Sequence, residues 1–253
     1  MYSEERHNKI VELIHINGKV SVNDLAKKFK VSKVTIRRDL ELLDMKGIVQ
    51  RTYGGAIEPK SILNEYSLSE KEQRNIPEKK LIAENAQYFL DNDMTVYLDS
   101  GTTTKFIINH IPNYSDVTVI TPDVQIGYEL SAFKTINLIQ LGGRIDRSIL
   151  SANSIETILQ LEKIHFDIAF IGCDGFDLKN IYASDEIRAN LKKIALNNTH
   201  KRILLADSSK YPKKNMYSVA KIKQFDSIVT DRKDKDLIRD LPKNCKNVRF
   251  TEC

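Results

Sequence analysis

The chain has 253 residues, with 39 Lys and Arg against 34 Asp and Glu for a formal charge of +5, and 41% of it is hydrophobic. This suits one large domain, or a small one joined to a larger one, and excludes both a minimal disulfide scaffold and a disordered chain. No stretch approaches the roughly 20 apolar residues of a bilayer helix, and residues 1–10 lack the apolar segment of a secretory leader, so a cytoplasmic protein with no membrane partner is expected. Cys173, Cys245 and Cys253 are odd in number without paired spacing, and the five histidines fall in no ligand pattern, so neither a disulfide framework, a metal nor a cofactor is expected. The first 60 residues hold 12 Lys and Arg against 8 Asp and Glu, which concentrates the excess charge at the N-terminus, as nucleic-acid binding by that part requires.

In chain order, residues 3–17 place Ile10, Leu13 and Ile14 at helical spacing, and Asn17-Gly18 ends that helix with residue types that tolerate the left-handed conformation. Ser21 caps a second helix carrying Leu25, Ala26 and Phe29. Ser32 caps a third, which runs to about Met45 and is closed by Gly47. On the third helix Ile36, Leu40 and Leu43 form the buried stripe, leaving Val34, Arg37, Arg38 and Glu41 on the opposite face. Residues 48–51 and 53–57 read as two short strands about a Gly-rich turn, a wing. Ser32, Lys33 and Thr35 then sit at the helix end that enters a DNA groove, Arg37 and Arg38 can pair with guanine or phosphate, and Arg51 and Tyr53 reach adjacent backbone. The bland alternative is that Arg37 and Arg38 only pair with Asp39, Glu41 or Asp44.

The run S-K-V-T-I-R-R-D-L (32–40), with the preceding S-V-N-D-L-A-K-K-F-K-V and the later R-T-Y-G-G-A (51–56), resembles the DeoR family of bacterial transcriptional regulators. The resemblance implies a DNA-binding domain over residues 1–57, with Ser32, Thr35, Arg37 and Arg38 at the operator.

Residues 58–76 are mostly polar and read as a linker, and from Pro77 onward helical and strand patterns alternate. Helices are expected at 78–90, 103–110, 124–131, 155–161, 186–197 and 235–241, and strands at 95–98, 117–120, 137–141, 168–171, 202–205, 227–229 and 248–250. Such alternation predicts, over residues 77–253, a mostly parallel sheet covered on both faces, with ligands beyond the carboxyl ends of its strands. Polar loops fall there. Asp99-Ser100-Gly101-Thr102-Thr103-Thr104 follows a strand and opens a helix, so its N–H groups and hydroxyls can cradle a phosphate at the helix N-terminus, or merely cap that helix. Leu141-Gly142-Gly143-Arg144, Gly172-Cys173-Asp174-Gly175 and Ala206-Asp207-Ser208-Ser209-Lys210 end three further strands. Lys192 and Lys210 can neutralise a phosphate, and Asp99, Asp174 and Asp207 can accept sugar hydroxyls, although each alone serves equally as an ion pair or turn former.

These loops resemble the DeoR sensor domain, whose fold is similar to that of ribose-5-phosphate isomerase and which commonly binds phosphorylated sugars. The matching stretches are 98–104, 141–144, 166–175, Lys192 and 205–210. The chain departs from the family pattern at Pro122 (usually Asn), Ser154 (usually Gly) and Arg188 (usually Glu), positions that bear on the effector's identity. The resemblance thus implies a non-enzymatic regulator, a homo-oligomeric repressor of carbohydrate-metabolism genes that binds double-stranded operator DNA and a phosphorylated sugar. Two other readings are an isomerase-like enzyme using Asp174, Asp99 or Glu186 for proton transfer, and a regulator with a vestigial pocket.

Overall fold

The structure, a computed structural model, describes residues 3–45, 48–57 and 66–251. Internal contacts divide the chain into two compact units, Met1–Asn64 and Glu65–Cys253. The expected closure by Gly47 and residues 58–65 of the linker lie outside the described residues. No helix among the described residues is long and apolar enough to cross a membrane.

The first unit is a winged helix-turn-helix made of α1 (Ser3–Asn17), β1 (Lys19–Ser21), α2 (Val22–Phe29), α3 (Lys33–Met45), β2 (Gln50–Thr52) and β3 (Gly55–Ile57). Gly18 follows α1 at φ +71°, where an L side chain is disfavoured, and its N–H donates to the Ile14 carbonyl at 2.7 Å. Ser21 accepts the Asp24 N–H at 3.1 Å to start α2, and Ser32 accepts the Thr35 N–H at 3.1 Å to start α3. Ile10, Ile14, Leu25, Ile36, Leu40 and Leu43 bury the inward faces of the three helices in one core. The strands form an antiparallel sheet in the order β1-β3-β2, which adds Lys19–Ser21 to the expected two-stranded wing. Only glycine fits at position 55, because a Cβ there would lie 1.8 Å from the Val20 carbonyl oxygen.

The second unit contains α4 (Leu68–Gln73), α5 (Ile76–Ala86), β4 (Thr95–Leu98), β5 (Val117–Thr121), α6 (Val124–Leu130), β6 (Ile136–Gln140), β7 (Ile145–Asp146), β8 (Ser151–Ala152) and α7 (Ile155–Leu161). It continues with β9 (Phe166–Ile171), β10 (Gly175–Phe176), β11 (Asn180–Ala183), α8 (Glu186–Asn197), β12 (Thr199–Leu205), β13 (Tyr217–Lys221), β14 (Ser227–Thr230), α9 (Lys235–Asp240) and β15 (Val248–Phe250). Seven strands form an all-parallel sheet in the order β15-β14-β12-β9-β4-β5-β6. Alternate residues of β9 enter different cores: Ile168 and Phe170 join α5 and α6, while Ala169 and Ile171 join α7, α8 and α9, so the sheet is covered on both faces. The chain lays β5 and β6 to one side of β4 and then places β9 on the other. That reversal opens a crevice beyond the carboxyl ends of β4 and β9.

Several details differ from expectation. Residues 104–109 form a 3₁₀ helix rather than an α-helix, and at its start Thr104 Oγ1 donates to the Asp99 and Gly101 carbonyls at 2.7 and 2.8 Å. The hairpin β7–β8 and the antiparallel sheet β10-β11-β13 were not expected, being too short to show alternation. Of the residues assigned by composition to a linker, those from Tyr66 onward fall in the second unit. There Ser67 and Glu70 form a capping box that starts α4.

Candidate functional site

In the first unit Val34 is 70% exposed, and Ser32, Lys33, Arg37, Arg38 and Glu41 are exposed around it. Thr35 is half-buried, its hydroxyl 2.9 Å from that of Ser32. Neither Arg37 nor Arg38 has an ion-pair partner among the described residues. The three acids that could have claimed them are engaged elsewhere. Asp39 is buried and takes two hydrogen bonds from Arg6 of α1, at 2.6 and 3.0 Å, with His7 at 2.9 Å. Against the upward push of burial, the Arg6 and His7 contacts hold the Asp39 carboxyl below its ordinary value. Asp44 accepts the Arg51 N–H at 3.0 Å, and Glu41 lies 3.9 Å from the Arg51 guanidinium. Tyr53, at the tip between β2 and β3, is fully exposed.

The second unit holds a cavity of about 310 Å³ in the crevice beyond β4 and β9. Its lining includes Ser100, Gly101, Thr102 and Thr103 after β4, Asp123 after β5, Gly172, Cys173 and Asp174 after β9, and Lys210 after β12. Ser184, Asp185, Arg188 and Lys192 close it from β11 and α8, Asp146, Ser148 and Ile149 from the β7–β8 hairpin, and Tyr66, Ser67, Leu68 and Lys71 from the α4 region. No described group accepts a hydrogen bond from the backbone N–H of Ser100, Gly101, Thr102 or Thr103. Four successive donors of this kind suit an anion. Their attraction comes from the N–H groups and nearby cations, since the helix behind them is a short 3₁₀ segment without the expected α-helical dipole.

The charges within the cavity differ in freedom. Lys192 is paired with Asp99, which also accepts the Gly172 N–H at 2.9 Å. Asp174 lies 3.0 Å from Lys71 Nζ and 3.3 Å from the Arg188 guanidinium, and it accepts the Ser184 N–H at 3.0 Å. Although burial opposes it, Arg188 and then Lys71 hold the Asp174 carboxyl well below the usual range. Lys210 has no ion-pair partner among the described residues. Asp123 is buried and caps α6 by accepting the Gln125 and Ile126 N–H groups at 2.9 and 3.0 Å, yet burial pushes it up to about 6. Burial also pushes the Cys173 thiol up to about 12, which favours its protonated form.

Of the expected effector residues, Ser100, Gly101, Thr102, Thr103, Asp174, Lys192 and Lys210 line this one cavity. Asp99, Thr104, Gly142, Gly143, Gly175 and Asp207 are not in its lining. Asp99 and Thr104 lie behind it and hold the loop. Gly142 and Gly143 form a turn against α7: Gly143 sits at φ +133°, and a Cβ there would lie 2.4 Å from Ser154 Oγ and 2.5 Å from Thr157 Oγ1. Gly175 admits the Lys213 carbonyl, 2.6 Å from where its Cβ would be. Asp207 Oδ1 accepts Asn75 Nδ2 at 2.8 Å and the Ser209 N–H at 3.1 Å. Lining residues that sequence reasoning missed include Asp123 and Asp185, each an aspartate capping a helix after a strand, which is a usable signal. Lys71 had none, lying in a polar stretch.

Of the three departures, only Arg188 faces the cavity. Pro122 uses its carbonyl to accept the Ala152 N–H at 2.9 Å, and Ser154 Oγ accepts the Arg144 N–H at 3.3 Å. The acids offered for proton transfer are poorly poised for it: Asp174 is held at low pKa, Asp99 is paired, and Glu186 is exposed outside the cavity.

Comparison with known proteins follows the two units. Residues 6–61 match the family model described as the DeoR-like helix-turn-helix domain, and residues 74–232 match that described as the DeoR C terminal sensor domain. The chain is 33% identical over 232 residues to the uncharacterized HTH-type transcriptional regulator YulB of Bacillus subtilis, covering 91% of this chain and 90% of that one. It is 33% identical over 247 residues to the lactose phosphotransferase system repressor of Streptococcus mutans, covering 96% and 98%. Among solved structures, ribose 5-phosphate isomerase from Plasmodium falciparum aligns with 52% of this chain and 51% of its own at 21% identity and a TM-score of 0.38.

Proposed function

This chain belongs to the DeoR family of helix-turn-helix transcriptional regulators, and from that premise we propose that it represses carbohydrate-metabolism genes under the control of a phosphorylated sugar. The N-terminal end of α3 and its cap, with Ser32, Lys33, Val34, Thr35, Arg37 and Arg38, enters the major groove of operator DNA, and Arg51 and Tyr53 of the wing meet the flanking backbone. The repressor sense is supported by the name of the Streptococcus mutans relative. The observation that carries the effector assignment is the cavity itself, whose lining brings together four residues with unbonded N–H groups and Lys210 at the switch-point crevice. A phosphate seats there, and the carboxylates and hydroxyls of the remaining lining accept and donate to sugar hydroxyls. The protein acts as a homo-oligomer, so that two recognition helices read two half-sites.

The test is titration of operator DNA, selected from a random-sequence pool, with and without a panel of sugars and their phosphates. One phosphorylated sugar, and not its free counterpart, is expected to change operator affinity several-fold to about a hundredfold, the range of a typical coupling. Arg37→Ala with Arg38→Ala is expected to abolish operator binding without loss of fold. Retained affinity would remove α3 from the interface, and a panel without effect would remove the phosphorylated-sugar assignment.

A further inference from the structure

One wall of the cavity is built by the short polar segment that precedes α5. No residue of α4 is buried, so apolar packing does not hold it in place. Polar ties do, and they span both lips of the crevice. Lys71 Nζ donates to Asp174 Oδ1 at 3.0 Å beyond β9, and Glu72 lies 3.7 Å from Lys105 beyond β4. The buried Lys79 of α5 donates to the Lys71 carbonyl, and Asn75 Nδ2 donates to Asp207 Oδ1 at 2.8 Å and Ser209 Oγ at 3.0 Å. Arg74 stacks over the Tyr66 ring at 3.9 Å, which closes the segment on itself. Asp174 is meanwhile doubly compensated, by Lys71 and by Arg188 at 3.3 Å, so either cation can leave without stranding a buried charge.

We propose that residues 66–75 form a strap across the effector cavity in which Lys71 is a ligand-contacting residue. An anionic group seated on residues 100–103 and Lys210 draws Lys71 from Asp174, Arg188 keeps Asp174 neutralised, and the strap shifts. This rests on the cavity being a phosphate site, and the experiment separates the two ideas.

Inorganic phosphate is the probe, titrated into the full chain against chloride at equal ionic strength, with thermal unfolding and hydrogen exchange of residues 66–75 as readouts. Phosphate is expected to raise the unfolding midpoint and change exchange in the strap. Lys71→Met should weaken phosphate binding about tenfold, as loss of a charge-assisted contact does, and abolish the exchange change, while Lys71→Arg retains both. If Lys210→Met removes phosphate stabilisation but Lys71→Met leaves affinity and strap exchange as in the wild type, the strap is overturned and the cavity assignment stands. If phosphate neither stabilises the wild type nor alters exchange, both fall.

Discussion

Lys192 and Lys210 carry the same charge into the same cavity and have different value to a ligand. Asp99 already neutralises Lys192, whereas Lys210 has no such partner among the described residues, so the proposed phosphate would gain most from Lys210. Asp123 shows burial acting in the other direction. Its folded pKa, raised to about 6 chiefly by desolvation, lies above the unfolded value of about 3.9. Between about pH 4 and 6 the unfolded chain ionises first, so this residue makes stability fall as pH rises through that window, by about 2–3 kcal/mol in all. Asp123→Asn, which keeps a capping oxygen, should flatten that slope. Urea unfolding midpoints of both proteins from pH 4 to 7 check it, and parallel pH profiles would contradict it.

At the scale of elements, the helices of the first unit are legible because caps and apolar spacing act locally: Ser21, Ser32 and the Ile36-Leu40-Leu43 stripe each mark a boundary or a face. Asp39 was not legible. It sits beside Arg37 and Arg38 in sequence, yet its partner Arg6 is 33 residues away and becomes visible only when α1 and α3 pack. That pair ties α1 to the proposed recognition helix. Asp39→Ala strands the Arg6 guanidinium and should cost about 3–5 kcal/mol, measured as a lowered denaturation midpoint with operator affinity lost in step. A midpoint near that of the wild type would mean that Arg6 escapes to solvent and the tie is dispensable. The short strands β7, β8, β10, β11 and β13 were missed for a similar reason, since two to five residues carry no period that distinguishes them from loop.

For the whole molecule, a regulator that reads two half-sites requires at least two copies of α3 held at a set separation. Footprinting is expected to protect two segments whose centres lie about one helical turn, ~34–36 Å, or a multiple of it apart, with a mass above that of one chain by light scattering. One protected segment bound by a single chain would refute the homo-oligomer. The order of parts was written in the sequence: a basic helix-turn-helix module, then alternating helices and strands with polar loops at the strand ends, because each of those signals is local and periodic. Tertiary structure decided which loops meet. The reversal of strand order at β4 and β9 brings residues 100–103, Asp174, Lys192 and Lys210 to one crevice, turns Gly142 and Gly143 away to pack against α7, and draws Lys71 into the wall. Those choices depend on contacts between residues far apart in sequence, 103 positions for Lys71 and Asp174 and 134 for Asn75 and Ser209, and no local pattern carries them.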